Sequence, residues 1–118
     1  MTNKLPTDQL SEAVAEVMGD CVHRRYGAHS DLEGLWLCKA YGGVLWRSRT
    51  NNPYAKELHH AERVLEFMEN RGFDWEIGNN HISGKYYALF YDVDEYYGFG
   101  DTRAEAICRA ALKAMEEG

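Results

Sequence analysis

The sequence predicts an α+β fold: a single domain with an antiparallel sheet and helices packed on it as a layered sandwich. Three observations carry this expectation. Strand-like runs are grouped rather than alternating with helices, unlike a doubly wound parallel sheet. The stretch 85–99, KYYALFYDVDEYYGF, reads as a hairpin dense in aromatic residues. It continues through a glycine-broken turn into AEAICRAALKAM, whose apolar residues recur at helical spacing.

The elements follow in order. Pro6-Thr7 followed by DQLSEAVAEVM predicts a helix with Thr7 as N-cap and Asp8 in its first turn. Leu10, Val14, Val17 and Met18 form its apolar side, Glu12 and Glu16 face away, and Gly19 closes it. Residues 20–34, containing HRRYGAHSD, read as a loop. Two strand candidates, 35–41 and 44–49, meet at Gly42-Gly43, a hairpin signal because both positions tolerate positive φ. Asn51-Asn52-Pro53 turns into the longest helix, 53–70, with Pro53 suited to the first helical position. Its stripe is Tyr54, Leu58, Ala61, Leu65 and Met68, flanked by Val64. A strand over 73–77 alternates Phe73, Trp75 and Ile77 with Asp74 and Glu76, and Gly78-Asn79-Asn80 reads as a turn. Strands over 85–91 and 95–99 flank the turn Asp92-Val93-Asp94. Asp101 or Thr102 caps the final helix, which buries Ala104, Ile107, Cys108, Ala111, Ala114 and Met115.

At this point the chain resembles a known family. The helix AERVLEFMENRG leading into FDWEI, the strand YYALFY and the ending GDTRAEAICRAALKA are similar to the phage ABA-sandwich domain family. The resembling block spans 61–112, and Val17-Met18-Gly19 also fits the family's opening, whereas 24–52 departs most. The resemblance implies a layered α/β sandwich without established catalytic residues. Its phage context implies a host-interaction or anti-defence role.

Composition bounds the function. The 118 residues, 45% hydrophobic and 13% aromatic, suffice for one domain with a real core. No apolar run approaches a membrane span, and MTNKLPTDQL holds no apolar segment of a secretory signal. Cys21, Cys38 and Cys108 are odd in number and widely spaced, which predicts reduced thiols, and the expected location is the host cytoplasm. A net charge of −6 disfavours general nucleic-acid binding. That charge is uneven. Residues 21–56 hold Arg24, Arg25, Lys39, Arg47, Arg49 and Lys56 against Asp31 and Glu33, a balance of +4 that leaves −10 elsewhere. Such a basic middle either receives an anion or acidic partner or pairs with the acidic elements around it.

Catalytic patterns are weak. Cys21, His23, His29 and Cys38 lack the paired spacings of structural zinc, and His59 and His60 read as solvated helix residues. Asp92-Val93-Asp94-Glu95 suits a turn better than a magnesium site. Gly98-Phe99-Gly100-Asp101-Thr102 precedes a helix N-terminus, but Asp101 and Glu105 already place negative charge there. There is no phosphate-binding glycine loop, nucleophile elbow or HExxH pattern. The expectation is a non-enzymatic protein without a cofactor.

The tyrosines are more informative. Tyr87, Leu89 and Tyr91 share one sheet face and Tyr86, Ala88 and Phe90 the other; only one face can meet the helices. The other is covered, pairs with another chain, or stacks on a ligand. The expected binding residues are Arg24, Arg25, Arg47, Arg49, Tyr87, Tyr91, Tyr96 and Tyr97. Two partners compete for them: a host protein such as an immune effector, blocked by contact, or a nucleotide signal sequestered by stacking and arginine contacts. A small hydrolase is the outsider, and self-association into a homo-oligomer fits the aromatic surplus.

Overall fold

The computed structural model describes residues 5–19, 23–25, 36–38, 43–45, 53–80 and 83–117, with the three short central segments described by their backbone. It is an α+β structure, as the grouping of strands predicts.

Helix α1 (Thr7–Met18) begins one residue earlier than expected. Thr7 lies inside it and no side chain caps it; the Pro6 carbonyl, on an extended residue, accepts the Leu10 N–H at 2.8 Å. Gly19, at φ 74°, closes the helix in the left-handed conformation that glycine adopts without steric cost. Leu10, Val14 and Ala15 are buried, while Glu16 is exposed.

A small antiparallel sheet follows, ordered β1 (His23–Arg25), β2 (Trp36–Cys38) and β3 (Gly43–Leu45). The predicted loop over 20–34 therefore contains a strand, β1, which pairs with β2. Gly43 is a strand residue opposite Cys38, rather than half of a two-residue turn. Residues 46–49 of the second expected strand lie outside the described residues.

Helix α2 (Leu58–Asn70) starts five residues after Pro53. Pro53 instead heads a turn, its carbonyl accepting the N–H groups of both Lys56 and Glu57 at 3.1 Å. The turn buries Tyr54 and Ala55, and the Ala55 N–H donates to Ser11 Oγ of α1 at 2.9 Å. Ala61, Val64, Leu65 and Met68 form the buried stripe. Leu58 does not join it: Tyr54 and Ala55 already fill this end of the core, and Leu58 stays 41% exposed.

The main sheet has the order β4 (Asp74–Asn80), β5 (Lys85–Tyr91), β6 (Glu95–Gly100), antiparallel throughout. Gly78, Asn79 and Asn80 extend β4 opposite Tyr87, Tyr86 and Lys85 instead of turning the chain. Helix α3 (Arg103–Glu117) is capped reciprocally. Thr102 Oγ1 accepts the Glu105 N–H at 3.2 Å, and Glu105 Oε2 accepts the Asp101 N–H at 3.2 Å.

Nine of the fifteen α3 residues are buried, because the helix packs on β5 and β6 on one side and on α1 and α2 on the other. Alanines make that double contact close. A Cβ placed on Gly98 of β6 would lie 2.2 Å from the Ala110 backbone nitrogen. The Glu105–Arg109 pair, 2.6 Å apart, is also largely buried, and Arg109 Nη2 donates to the Leu5 carbonyl at 2.9 Å, tying α3 to the chain before α1. No described helix is long and apolar enough to cross a membrane.

Candidate interaction face

Strand alternation and register decide what the main sheet presents. Phe90 pairs with Tyr96 and Ala88 with Gly98, and these four residues are buried on the helix side. The opposite side carries Tyr87 paired with Phe99, Leu89 paired with Tyr97, and Tyr91 paired with Glu95. From β4 it adds Asp74, Glu76 and Gly78. Tyr87 lies over Gly78, where a Cβ would come within 2.5–2.6 Å of its ring atoms. Tyr97 and Phe99 stack with ring centroids 6.2 Å apart and planes 9° from parallel, yet stay 38% and 48% exposed. Tyr91 is exposed at one end of the face, while Leu89 is buried.

The face is acidic as well as aromatic. Glu95, followed by partial burial and then Glu76, holds the Tyr97 hydroxyl above its ordinary pKa, and the Glu95 side chain hydrogen-bonds to it. At the Tyr91 end an open cleft is lined by Glu69, Phe73, Asp74, Trp75 and Tyr91, with Trp75 Nε1 donating to the Glu69 carboxylate. Lys85 shares the outer side by alternation, but its ammonium is 3.9 Å from Asp101. The chemistry available is apolar contact, aromatic stacking and attraction of cations.

The expected binding residues separate accordingly. Tyr87, Tyr91 and Tyr97 share the outer face. Tyr96 does not: it is 6% exposed on the helix side, edge-on to Phe73 at 6.2 Å between ring centroids, and belongs to the core. Arg24 and Arg25 lie in β1, opposite Leu37 and Trp36, whereas Arg47 and Arg49 lie outside the described residues. Phe99 was missing from the expected set, although alternation from Tyr97 marks it.

The turn and helix-start motifs have structural roles, whereas Cys21 and His29 lie outside the described residues. Asp92 Oδ1 accepts the Asp94 N–H at 3.1 Å, as an aspartate in a tight turn does. The N–H groups of Asp101 and Glu105 at the start of α3 are held by the reciprocal cap. Burial pushes the Cys108 thiol up to about 12, so it is not a nucleophile near neutral pH. His59 is exposed, but His60 is half-buried, and both rings turn toward Glu57.

Among solved structures, the fold is similar to that of a phage protein from Bacillus cereus ATCC 14579, with a TM-score of 0.66 at 16% identity. The similarity covers 95% of this chain and 94% of that one, and at this identity it speaks for the fold alone. No curated protein matches the sequence. The family model described as the phage ABA sandwich domain matches residues 12–112, nearly the whole described core. The chain therefore belongs to the phage ABA sandwich domain family.

Proposed function

We propose that this is a non-enzymatic, phage-type binding protein that contacts and blocks a component of the host cytoplasm through the outer face of its main sheet. One observation carries the reading: a stacked, exposed aromatic pair, Tyr97 and Phe99, set among carboxylates. Contiguous exposed aromatics usually mark interaction sites. Their acidic surroundings favour a partner with a basic surface, such as an immune effector whose site is built for nucleic acid. The chemistry works against a nucleotide ligand here, because Asp74, Glu76 and Glu95 would repel phosphate.

The test is comparative capture from host lysate with wild-type protein and the Tyr97→Ser/Phe99→Ser variant, followed by titration of the purified partner. A basic protein retained by the wild type and lost by the variant supports the reading. Equal retention by both, or no specific partner at any salt, counts against it. A thermal-shift panel of cyclic and linear nucleotides examines sequestration, since a ligand at 100 times its dissociation constant adds ~2.7 kcal/mol. Nucleotide turnover abolished by Asp92→Ala would overturn the non-enzymatic reading.

A further inference from the structure

At the start of α2, away from the aromatic face, three side chains converge. His59 Nε2 lies 3.3 Å from Glu57 Oε2 and His60 Nε2 lies 3.7 Å from the same oxygen. One donor atom from each of the three residues falls within 4.8 Å of the others. Tetrahedral ligands held ~2.0–2.1 Å from a zinc ion stand roughly 3.3–3.5 Å apart, so both Glu–His spacings are close to those of a ligand set. The two imidazole rings are 4.2 Å apart and tilted by 44°, so they are not stacked flat.

The backbone explains the convergence. Glu57 is the extended residue before the helix, so its side chain reaches back over the first turn, where His59 and His60 are the second and third residues. His60 is held from below, its ring edge-on to the buried Tyr54 at 6.1 Å. Its Nδ1 is buried without a hydrogen-bond partner, which leaves Nε2 as the nitrogen open to an ion.

The geometry points to Glu57, His59 and His60 as a surface site for a borderline-soft divalent cation of the Zn2+ type. Imidazole nitrogen and carboxylate oxygen suit such ions, and three protein ligands leave a fourth position for water or a donor from a binding partner. The bare Nδ1 sets the strength. Metal-bound histidines normally donate their second N–H to an acceptor, and losing that support costs ~10–100-fold in affinity. The site is therefore a moderate, exchangeable one.

The experiment is a Zn2+ titration of the full chain followed through its histidine ring signals by NMR, for wild type, Glu57→Gln and His59→Ala. Glu57 and His59 are exposed and outside the buried stripe of α2, so both variants retain the fold. Binding predicts that the His59 and His60 signals move together and saturate at one equivalent. Glu57→Gln then weakens binding by roughly tenfold or more, and His59→Ala by more again. The inference is overturned by a dissociation constant above about 1 mM, by equal affinity in the variants, or by zinc-induced shifts confined to His23, His29 or His81.

Discussion

Among the described glycines, Gly98 is the most closely approached. Its missing Cβ would stand 2.2 Å from the Ala110 nitrogen and 2.5 Å from the Ala106 carbonyl oxygen, both main-chain atoms of α3 that no rotamer change can move. Overpacking a core typically costs ~1–3 kcal/mol, and a clash with backbone falls at or beyond the upper end. Gly98→Ala is expected to lower stability by about 3 kcal/mol, read as the midpoint in urea denaturation. A variant as stable as wild type would show that α3 stands farther off the sheet. Cys108 is also fully buried, in the core around α3. Burial pushes its thiol up to about 12, well above the unfolded value, so the folded state holds a proton that the unfolded state releases. Its contribution to stability is complete below the unfolded pKa and declines from about pH 9 to pH 12. At pH 8.5 iodoacetamide should label Cys108 only through opening of the fold, with labelling rising when urea is added. Rapid modification in native buffer would contradict its burial.

Elements are governed by their ends and registers. Thr102→Ala removes the side-chain acceptor at the start of α3 and is expected to cost about 1 kcal/mol. Glu105→Ala should cost more, about 3 kcal/mol, because it strips the Asp101 N–H of an acceptor and leaves the buried Arg109 guanidinium without its carboxylate. Chemical denaturation of the two variants tests this order; a smaller loss for Glu105→Ala would mean that other contacts of Arg109 hold its charge. These ends also show what was readable from residues. Lys85–Tyr91 and the α3 stripe announced themselves through a continuous aromatic and apolar run and through helical spacing behind a threonine cap, all local signals. Asn79 and Asn80 looked like a turn, but pairing with Tyr86 and Lys85 overrode their propensity. Pro53 fits a helix start and a turn equally well, and the buried Tyr54 settled the choice. The predicted strand bounds, 85–91 and 95–99, already set Tyr96 beside Phe90, and what the residues left open was which side of the hairpin meets the helices. Pairing of Tyr91 with Glu95 leaves Asp92, Val93 and Asp94 in the turn and puts Tyr96 beside Phe90 in the core. A shift of one residue would exchange it with Tyr97. The Glu57, His59 and His60 cluster was hidden for a related reason: sequence places the histidines on a helix but does not show an extended residue folding back over them.

At the scale of the molecule, the main sheet is asymmetric: one side is locked to α3 by glycine and alanines, while the other keeps aromatic rings in solvent among carboxylates. The two ingredients of that outer face should act on different rate constants. Carboxylates steer encounter with a basic partner, and their effect fades as salt shortens the range of charge interactions. Desolvated aromatics at the centre of a contact slow dissociation, and such residues commonly account for 2 kcal/mol or more, roughly 30-fold in affinity. Glu76→Lys/Glu95→Lys is therefore expected to slow association and flatten its salt dependence with little change in dissociation. Tyr97→Ala/Phe99→Ala should speed dissociation and leave the salt dependence alone. Both pairs are exposed, so neither should lower stability by more than about 0.5 kcal/mol per substitution. Surface plasmon resonance over a salt series, with a partner identified by comparative capture, separates the two effects. Unchanged kinetics in both variants would place the binding surface elsewhere. Sedimentation of the chain alone distinguishes the remaining use of such a face: a wild-type dimer that Tyr97→Ala/Phe99→Ala converts to monomer would mean that the aromatics meet a second copy of this chain, and that any host contact uses a different surface.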